Sequence, residues 1–165
     1  MGSNQNIKLG NHWSGWFDLT GVVEKTFSLD SVMNNLDKPG GYIIRVDGHE
    51  IHRFGGIDQL GIIHIGQSKH LRDRITQFYR CLEMSDINKC GHMAGWRYRW
   101  LKISDAIPKH TLKIAWRNAK GSENPKDVEA KAMRCYINYY KELPPLNYQY
   151  NWSKECGCDA TFVAI

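Results

Sequence analysis

Four polar residues in the middle of the chain, Tyr42, His64, Arg74 and Glu129, are of types that can act together on a phosphodiester. Hydrolysis of that bond requires a water nucleophile, a base that takes its proton, and cations that face the developing negative charge. An arginine can direct two donors at one phosphate. A glutamate can bind a hard divalent ion such as Mg²⁺ or Mn²⁺ through oxygen. The four residues therefore suit phosphoryl chemistry if the fold brings them to one place.

Hydrophobic patterning predicts the strands and helices that carry these residues. Strands are predicted at residues 22–27, 42–46, 49–54, 61–65, 97–103 and 111–116. Helices are predicted at residues 28–36, 68–83 and 124–141, with Ser68 and Asn124 as N-caps of the last two. These elements predict a single α/β (α+β) domain with a small, mainly antiparallel central sheet flanked by helices.

Three short motifs surround the first three residues. Gly40-Gly41-Tyr42 opens one predicted strand, and His64-Ile65-Gly66 lies in and just after another. The stretch 66–74 then has the pattern Gly-x-Ser-Lys-x-Leu-x-x-Arg, which places Arg74 eight positions after the glycine. The order is a strand motif, a second strand motif and an arginine on the following helix.

Two later residues complete the pattern. Glu129 lies near the start of the last predicted helix, and Asn147 follows Pro144-Pro145 just after that helix ends. Taken together over roughly residues 39–150, the motifs resemble those of the GIY-YIG nuclease superfamily, in particular its phage and restriction-type endonucleases.

The resemblance implies a DNA endonuclease that uses one divalent metal, Mg²⁺ or Mn²⁺, and leaves 5′-phosphate and 3′-hydroxyl ends. It implies that Tyr42 is the base, that Glu129 holds the metal, and that His64 and Arg74 complete the catalytic set. A free phenol has a pKa of about 10, so a neighbouring cation must lower the pKa of Tyr42 if it is to act at neutral pH. Because a cut in both strands needs two sites, we expect a homodimer or sequential nicking of double-stranded DNA.

The other candidate residues are expected to contact DNA or to shape the motifs. Contacts to DNA or phosphate are predicted for Lys69, Arg72, Tyr79, His92, Arg97, Arg99 and Asn147. A structural role is predicted for Gly40, Gly41, Gly66 and Ser68. If residues 96–100 are extended, their three aromatic side chains share one face and the two arginines the other, where they could contact DNA. Aromatic core packing with a solvated charged face is the alternative.

Two departures from the family pattern lead to other hypotheses. His64 stands where the family has a tyrosine, and Phe78 stands where many members have a histidine or a tyrosine. A histidine can still donate to a phosphate or relay a proton. The second hypothesis is a degenerate domain that binds DNA without cutting it. The third is a small cytoplasmic protein with an accidental motif match, in which Tyr42, Arg74 and Glu129 would not converge on one cleft.

Length and charge set broad limits. The 165 residues fit one domain, and the formal net charge of +5 with a pI near 8.9 is compatible with a polyanionic partner. We divide the chain into an N-terminal extension at 1–38, the nuclease-like domain at 39–150, and a tail at 151–165 that packs on the same domain.

The apolar runs and the cysteines of the sequence are used to predict the cellular compartment of the protein. No apolar run is long enough for a membrane span, and the polar start lacks the features of a signal peptide. The odd number of cysteines then predicts reduced thiols in a cytoplasmic protein. Those cysteines are Cys81, Cys90, Cys135, Cys156 and Cys158. Zinc binding at Cys156 and Cys158 is a weaker alternative, since their spacing is poor for a structural zinc site.

Overall fold

A four-stranded antiparallel sheet forms the centre of the part of the chain that the computed structural model describes, residues 7–26, 33–150 and 157–165. The strands are β1 Ile7–Leu9, β2 Phe17–Asp18, β3 Gly40–Val46, β4 Ile51–Arg53, β5 Gly56–Asp58, β6 Ile62–Ser68, β7 Leu112–Asn118 and β8 Phe162–Ala164. The α-helices are α1 Leu19–Val23, α2 Leu71–Glu83, α3 Met93–Trp100, α4 Ile103–Ala106 and α5 Pro125–Tyr140. The sheet order is β2-β7-β3-β6, which confirms the predicted fold class.

Strand β3 is covered on both faces, which explains its nearly continuous apolar sequence. Tyr42 and Ile44 pack in the same cluster as the buried side chains of α2 and α3. Ile43 points the other way, into a cluster with the buried side chains of α5. The alternation of strand side chains therefore fixes which helices each position of β3 faces.

Helices α2 and α5 have the sequence features that were predicted for them. The predicted apolar stripe of α2 is buried and consists of Leu71, Ile75, Phe78 and Leu82. At the start of α5, the Asn124 side chain accepts from the Asp127 N–H, and the Asp127 carboxylate accepts from the Asn124 N–H. Pro125 occupies the first position of α5, where its missing N–H costs nothing. The start of α5, which carries Glu129, is thereby well defined.

The predicted strand at 97–103 is wrong, because residues 93–100 form α3. The buried residues of α3 are Ala94, Gly95 and Tyr98, which follow helical rather than alternating spacing. A Cβ on Gly95 would lie 2.7 Å from the Cβ of Cys81, so this glycine permits the close packing of α3 on α2. Trp96 and Trp100 satisfy an alternating pattern and an i, i+4 helical pattern equally well, which explains the error.

Smaller predictions also need correction. Residues 19–23 form α1, so a strand starting at residue 22 is wrong; the end of that prediction, Phe27, lies outside the described residues. Of the helix predicted at 28–36, residues 28–32 also lie outside them, and Asn34–Asp37 is a 3₁₀ turn. Ser68 is not the N-cap of α2; that position is His70, whose N–H donates to Ser68 Oγ.

The insertion between β3 and β6 is a small hairpin, β4-β5, that docks on the end of α5. Gly55 N–H donates to the Tyr140 carbonyl at 2.8 Å. The fully buried Asp58 carboxylate accepts from three backbone N–H groups of residues 60–62 and from the Tyr136 hydroxyl. These bonds hold the insertion away from the outer edge of β6.

The N-terminal extension and the tail both contribute strands. β2 forms the edge of the central sheet beside β7, while β1 pairs with β8. No helix within residues 7–26, 33–150 and 157–165 combines the length and the apolar character that a membrane crossing requires.

Four of the five cysteines form disulfides, so the prediction of reduced thiols is wrong for them. Cys81 is bonded to Cys90 and Cys135 to Cys158, with Cα–Cα distances of 5.1 and 4.8 Å. The sequence could not reveal these pairs, because they depend on how α2 meets the loop before α3 and how the tail meets α5. Zinc binding by Cys158 is excluded while it is bonded to Cys135.

Thiol titration tests these bonds directly. In the denatured, unreduced chain we expect one reactive thiol, since only Cys156 is left over. A count of five thiols in freshly purified protein would contradict both disulfides, and peptide mapping would identify a rearranged pair.

A buried ion-pair network joins β7, the loop before α5 and the tail. Arg117 makes two bonds of 2.9 Å with the Glu123 carboxylate and one of 3.1 Å with Asp159. Lys131 of α5 also donates to Glu123 at 2.7 Å. Burial tends to raise the pKa of Glu123, but the bonds from Arg117 and Lys131 outweigh it and lower that pKa to about 2. The network therefore stabilises the attachment of α5 to the sheet only while Glu123 is ionised.

Glu123→Gln should lower the free energy of unfolding at pH 7 by about 1–3 kcal/mol. The pKa of Glu123 is lower in the folded chain than its ordinary 4.5, so its contribution is present above pH 4.5 and is lost as pH falls towards about 2. Urea unfolding at pH 7 and pH 3 measures this, with Glu50→Gln at an exposed position as the control. An equal deficit at both pH values would rule out the ionised network.

Candidate active site

A cleft of about 280 Å³ runs along the outer edge of β6, between the elements on the two faces of the sheet. Its lining residues are His64, Gln67, Arg74, His92, Met93, Ala94, Lys126, Glu129, Leu146, Asn147, Tyr148 and Gln149. They come from β6, α2, the start of α3, the start of α5 and the segment after α5. The edge of the sheet is thus where side chains from both faces can meet.

Tyr42 lies behind two of the lining residues, His64 and His92, and is only 1% exposed. Its hydroxyl is 2.7 Å from His92 Nε2 and 3.3 Å from His64 Nε2. His64 reaches Tyr42 because it stands opposite Ile44 in the antiparallel register and so shares the face of β3 that Tyr42 occupies. The tyrosine hydroxyl therefore has one imidazole on each side.

Gly66 makes room for the tyrosine. A Cβ at this position would lie 2.6 Å from Tyr42 Oη and 2.9 Å from His64 Nε2. Gly66 stands directly opposite Tyr42 in the sheet, so the phenol ring covers the place of the missing side chain. Gly41 has a similar role towards α5, where a Cβ would lie 2.6 Å from Val128 Cγ1. Gly40 begins the strand opposite Ser68. The predicted structural role of these glycines is one of close approach.

His92 is held by the loop and helix that follow α2. It is the N-cap residue of α3, and its Nδ1 accepts from the Gly95 N–H at 3.4 Å. That bond leaves the proton of the neutral ring on Nε2, so His92 donates to the Tyr42 oxygen. The disulfide from Cys81 to Cys90 ties the preceding loop to α2. His92 is therefore buried and fixed rather than free to move in a polar loop.

Phe78 packs against both histidines. Its ring lies parallel to His64 with centroids 6.4 Å apart, and edge-on to His92 with centroids 5.2 Å apart. Phe78 supplies no polar group at this end of the cleft. The hydrogen bond that reaches the Tyr42 hydroxyl from this side comes from His92 instead.

Burial controls the ionisation of the three groups. It raises the pKa of Tyr42 well above its ordinary value, with the Glu129 charge acting in the same direction and the Arg74 charge in the opposite one. Burial, reinforced by the charge of Arg74, lowers the pKa of His64 to about 3. Burial, reinforced by the charges of His64 and Arg74, lowers the pKa of His92 to about 2. At neutral pH the phenol is protonated and both imidazoles are uncharged.

Arg74 lies at the mouth of the cleft and is half-buried. Its Nη1 donates to Gln77 Oε1 at 2.8 Å and to the Gly91 carbonyl at 3.2 Å. These two bonds hold the guanidinium beside the cleft from within α2 and from the loop before His92. The guanidinium also hydrogen-bonds the Tyr42 side chain, which acts to lower the pKa of that phenol. A guanidinium in this position can also donate to a phosphate in the cleft.

Glu129 is the only carboxylate among the described residues that line the cleft. It reaches the cleft from the first turns of α5, and Lys126 lies one turn before it. Within the described ranges, no group of three or more His, Cys, Asp or Glu side chains could cage a metal ion. A single carboxylate fits a divalent ion such as Mg²⁺ that keeps several waters and shares its ligands with a substrate phosphate.

Asn147 closes the outer edge of β6. Its Oδ1 accepts from the Ile65 N–H at 3.0 Å, and its Nδ2 donates to the Ile65 carbonyl at 2.8 Å. Leu146 N–H donates to the Ile63 carbonyl at 2.9 Å, which continues the pairing. Asn147 therefore satisfies strand groups that would otherwise be unpaired at the sheet edge, and it is also part of the cleft wall.

Several residues predicted to contact DNA lie elsewhere. Arg72 donates to the Asp37 carboxylate and to the Met33 carbonyl on another surface. Tyr79 is buried and donates to Glu24 Oε1, so it faces away from the cleft. Arg99 donates to the carbonyls of Leu82 and Met84, where it caps the end of α2. These three side chains have structural partners in place of a phosphate.

The other predicted contacts lie beside the cleft. Lys69 and Ser68 border an adjoining depression of about 460 Å³ that also includes Arg74 and Lys126. Arg97 stacks over the Tyr148 ring at 5.5 Å.

Sequence reasoning missed Gln67 and Lys126 as lining residues. Gln67 follows the Gly66 motif position directly, and Lys126 lies three residues before Glu129, so sequence proximity to the motifs was the only available signal.

No known protein family, characterised protein or solved structure matches this chain.

Imidazole ¹⁵N NMR tests the electrostatics of the site without any assay of activity. His92 should show the neutral Nε2–H form, and neither His64 nor His92 should titrate between pH 8 and pH 4, because their pKa values are about 3 and about 2. Both pKa values lie below the ordinary 6.5, so the folded state should lose stability as pH falls below 6.5. His92→Gln assigns the signals. A protonation midpoint near 6.5 for either ring would contradict the buried neutral pair.

Proposed function

We propose that this chain is a metal-dependent DNA endonuclease of the GIY-YIG type, which hydrolyses phosphodiester bonds to give 5′-phosphate and 3′-hydroxyl ends. One observation carries the proposal: Arg74 and Glu129 line the same cleft as His64 and His92, the two imidazoles that contact the Tyr42 hydroxyl. Tyr42, Arg74 and Glu129 come from β3, α2 and α5, so their convergence is a property of the tertiary fold.

Tyr42 is the proposed base, with His64 and His92 as its proton partners. The His92 Nε2–H donates to the phenol oxygen and so favours the phenolate. His64 Nε2 can accept the phenol proton. Once that proton has moved, Tyr42 Oη can take a proton from water while the water oxygen bonds to phosphorus and the bond to the 3′ oxygen breaks. The 3′ oxygen then takes a proton from a solvent water to become the 3′-hydroxyl, and His64 returns its proton to the solvent. His64 then serves as a relay behind the tyrosine rather than as a direct phosphate ligand.

Arg74 and Glu129 are the proposed phosphate and metal ligands. The guanidinium of Arg74 can donate to two oxygens of the scissile phosphate. Glu129 would hold one divalent ion, Mg²⁺ or Mn²⁺, whose charge offsets that of the phosphoryl oxygens and of the leaving 3′ oxygen. Arg74 also opposes the effect of burial on the pKa of Tyr42.

The adjoining depression gives the DNA backbone a path past the cleft. It carries Lys69, Arg74 and Lys126 and no acidic side chain among its described lining residues. Such a surface favours phosphate contacts that do not depend on sequence. We further propose double-stranded DNA as the substrate, with a homodimer or sequential nicks producing a cut in both strands.

A second candidate function is a domain that binds DNA without cutting it. The observation in its favour is the deep burial of Tyr42, which raises the pKa of the phenol, together with a His64 pKa lowered by burial to about 3. Proton transfer from such a phenol to such an imidazole is unfavourable. The two candidates differ in whether substrate and metal binding overcome that cost.

Plasmid cleavage distinguishes them. We expect wild type to nick supercoiled DNA with Mg²⁺ or Mn²⁺, and Arg74→Ala and Glu129→Ala each to lose about 100-fold or more of the rate. Tyr42→Phe should lose a similar factor, because it removes the base. Arg80→Ala is the matched control, since Arg80 is exposed on the same helix as Arg74. Circular dichroism and melting temperature verify that each variant is folded.

Two outcomes would contradict the endonuclease proposal. One is the absence of cleavage by wild type on several DNA substrates while binding persists, which would establish the non-cutting domain. The other is cleavage that survives in both Arg74→Ala and Glu129→Ala. For Tyr42 as a base that passes its proton to His64, the rate should change little between pH 6 and 8, because this transfer exchanges no proton with solvent. A rise of about tenfold per pH unit would contradict the relay and indicate that the Tyr42 proton is lost to solvent instead.

The cytoplasmic location predicted from the sequence is a separate proposal. It would require the disulfides Cys81–Cys90 and Cys135–Cys158 to resist the reducing conditions of that compartment.

A further inference from the structure

Helix α3 carries several large apolar side chains on its solvent face as well as on its buried face. At about 100° per residue, Met93, Trp96, Arg97, Trp100 and the following Leu101 fall within one sector of the helix, opposite buried Gly95 and Tyr98. Trp100 is 60% exposed and Met93 51%. A surface helix ordinarily presents polar side chains on this side. We call the set formed by exposed Met93, Trp100 and Tyr148 and by half-buried Trp96 and Arg97 the aromatic ledge.

The two indoles of the ledge are pre-organised. Trp96 and Trp100 stack with ring centroids 5.2 Å apart and planes inclined by 13°. The Arg97 guanidinium lies 5.5 Å from the ring centroid of Tyr148, which is itself 54% exposed. Flat aromatic surfaces held in place beside a guanidinium suit a planar, anionic partner.

The ledge is continuous with the cleft. Met93 and Tyr148 belong to both, and Trp100 lies about 10 Å along the helix from Met93. Residues 90–104 contain Arg97, Arg99 and Lys102 and no aspartate or glutamate. This local positive charge favours a polyanion over an uncharged apolar partner.

We propose that the aromatic ledge binds unpaired nucleotides of a DNA substrate. Their bases stack on Trp100, and Arg97 binds a phosphate of their backbone. Bases within a duplex already stack on their neighbours, so an indole face selects single-stranded nucleotides. The substrate class that follows is DNA with a single-stranded segment beside the duplex in the cleft. This inference rests on the proposed function, because it places that duplex at Arg74 and Glu129.

Binding without cleavage tests the ledge. The probes are a fluorescein-labelled duplex and the same duplex with a single-stranded oligothymidine arm, titrated with the full chain in EDTA. We expect the arm to tighten binding to wild type and to quench tryptophan fluorescence. Trp100→Ala should lose about tenfold or more in affinity for the armed duplex while its affinity for the plain duplex stays the same. Trp100→Phe should keep most of the effect, since it retains a stacking face.

Phe54→Ala is the control variant, because Phe54 is 89% exposed at the turn of the distant β4-β5 hairpin. It should bind both probes as wild type does. Equal binding of the armed duplex by wild type and folded Trp100→Ala would overturn the proposal. So would a wild-type dimer that Trp100→Ala converts to a monomer with arm binding unchanged, since the ledge would then be an interface between copies.

The two proposals fail separately. If binding of the arm requires Trp100 but no substrate is cleaved in a metal-dependent way, the proposal for the ledge stands and the endonuclease proposal is wrong. If plain and armed duplexes are cleaved at equal rates, and Trp100→Ala cleaves them at the same rates as wild type, the endonuclease proposal stands and the proposal for the ledge is wrong.

Discussion

The burial of one tyrosine hydroxyl determines how the rest of the site is built. Tyr42 points into the layer between the central sheet and helices α2 and α3, where an unpaired hydroxyl would cost free energy. His92 and His64 satisfy it, and Gly66 leaves space for its ring. The same burial keeps both imidazoles neutral and the phenol protonated. The ionisation of this oxygen therefore depends on its burial and on the opposing charges of Arg74 and Glu129.

The parts of the fold that the sequence predicted well are those with local causes. The strand at Tyr42, the apolar stripe of α2 and the Asn124-Pro125 start of α5 each follow from neighbouring residues. Helix α3 was predicted as a strand because Trp96 and Trp100 fit two periodicities, and packing of Gly95 against α2 decided between them. Where a sequence fits two periodicities, packing between residues far apart in the chain decides which element forms. The local pattern contains no information about that packing.

In the candidate site, too, some residues are identified by local motifs, and the roles of others depend on the tertiary fold. Tyr42, Arg74, Glu129 and Asn147 could be chosen because each lies in a short motif. Arg72, Tyr79 and Arg99 were equally plausible phosphate ligands by type, yet each has a structural partner that only the tertiary fold supplies. The sequence predicts only a DNA contact for His92, whereas its contact with Tyr42 depends on a loop held by the Cys81–Cys90 disulfide. The type of a residue predicts which interactions it can make, whereas its neighbours in the tertiary fold decide which of them it does make.

The pairing of Asn147 with Ile65 has a consequence for how the protein is made. The two residues are 82 positions apart in the chain, and the amide of Asn147 completes both the edge of β6 and one wall of the cleft. A growing chain that has left the ribosome only as far as α5 already contains Tyr42, Arg74 and Glu129, but its sheet edge is still open. The cleft can therefore close only after the segment that carries Asn147 has been synthesised, so this wall is added after Tyr42, Arg74 and Glu129 are already in the chain.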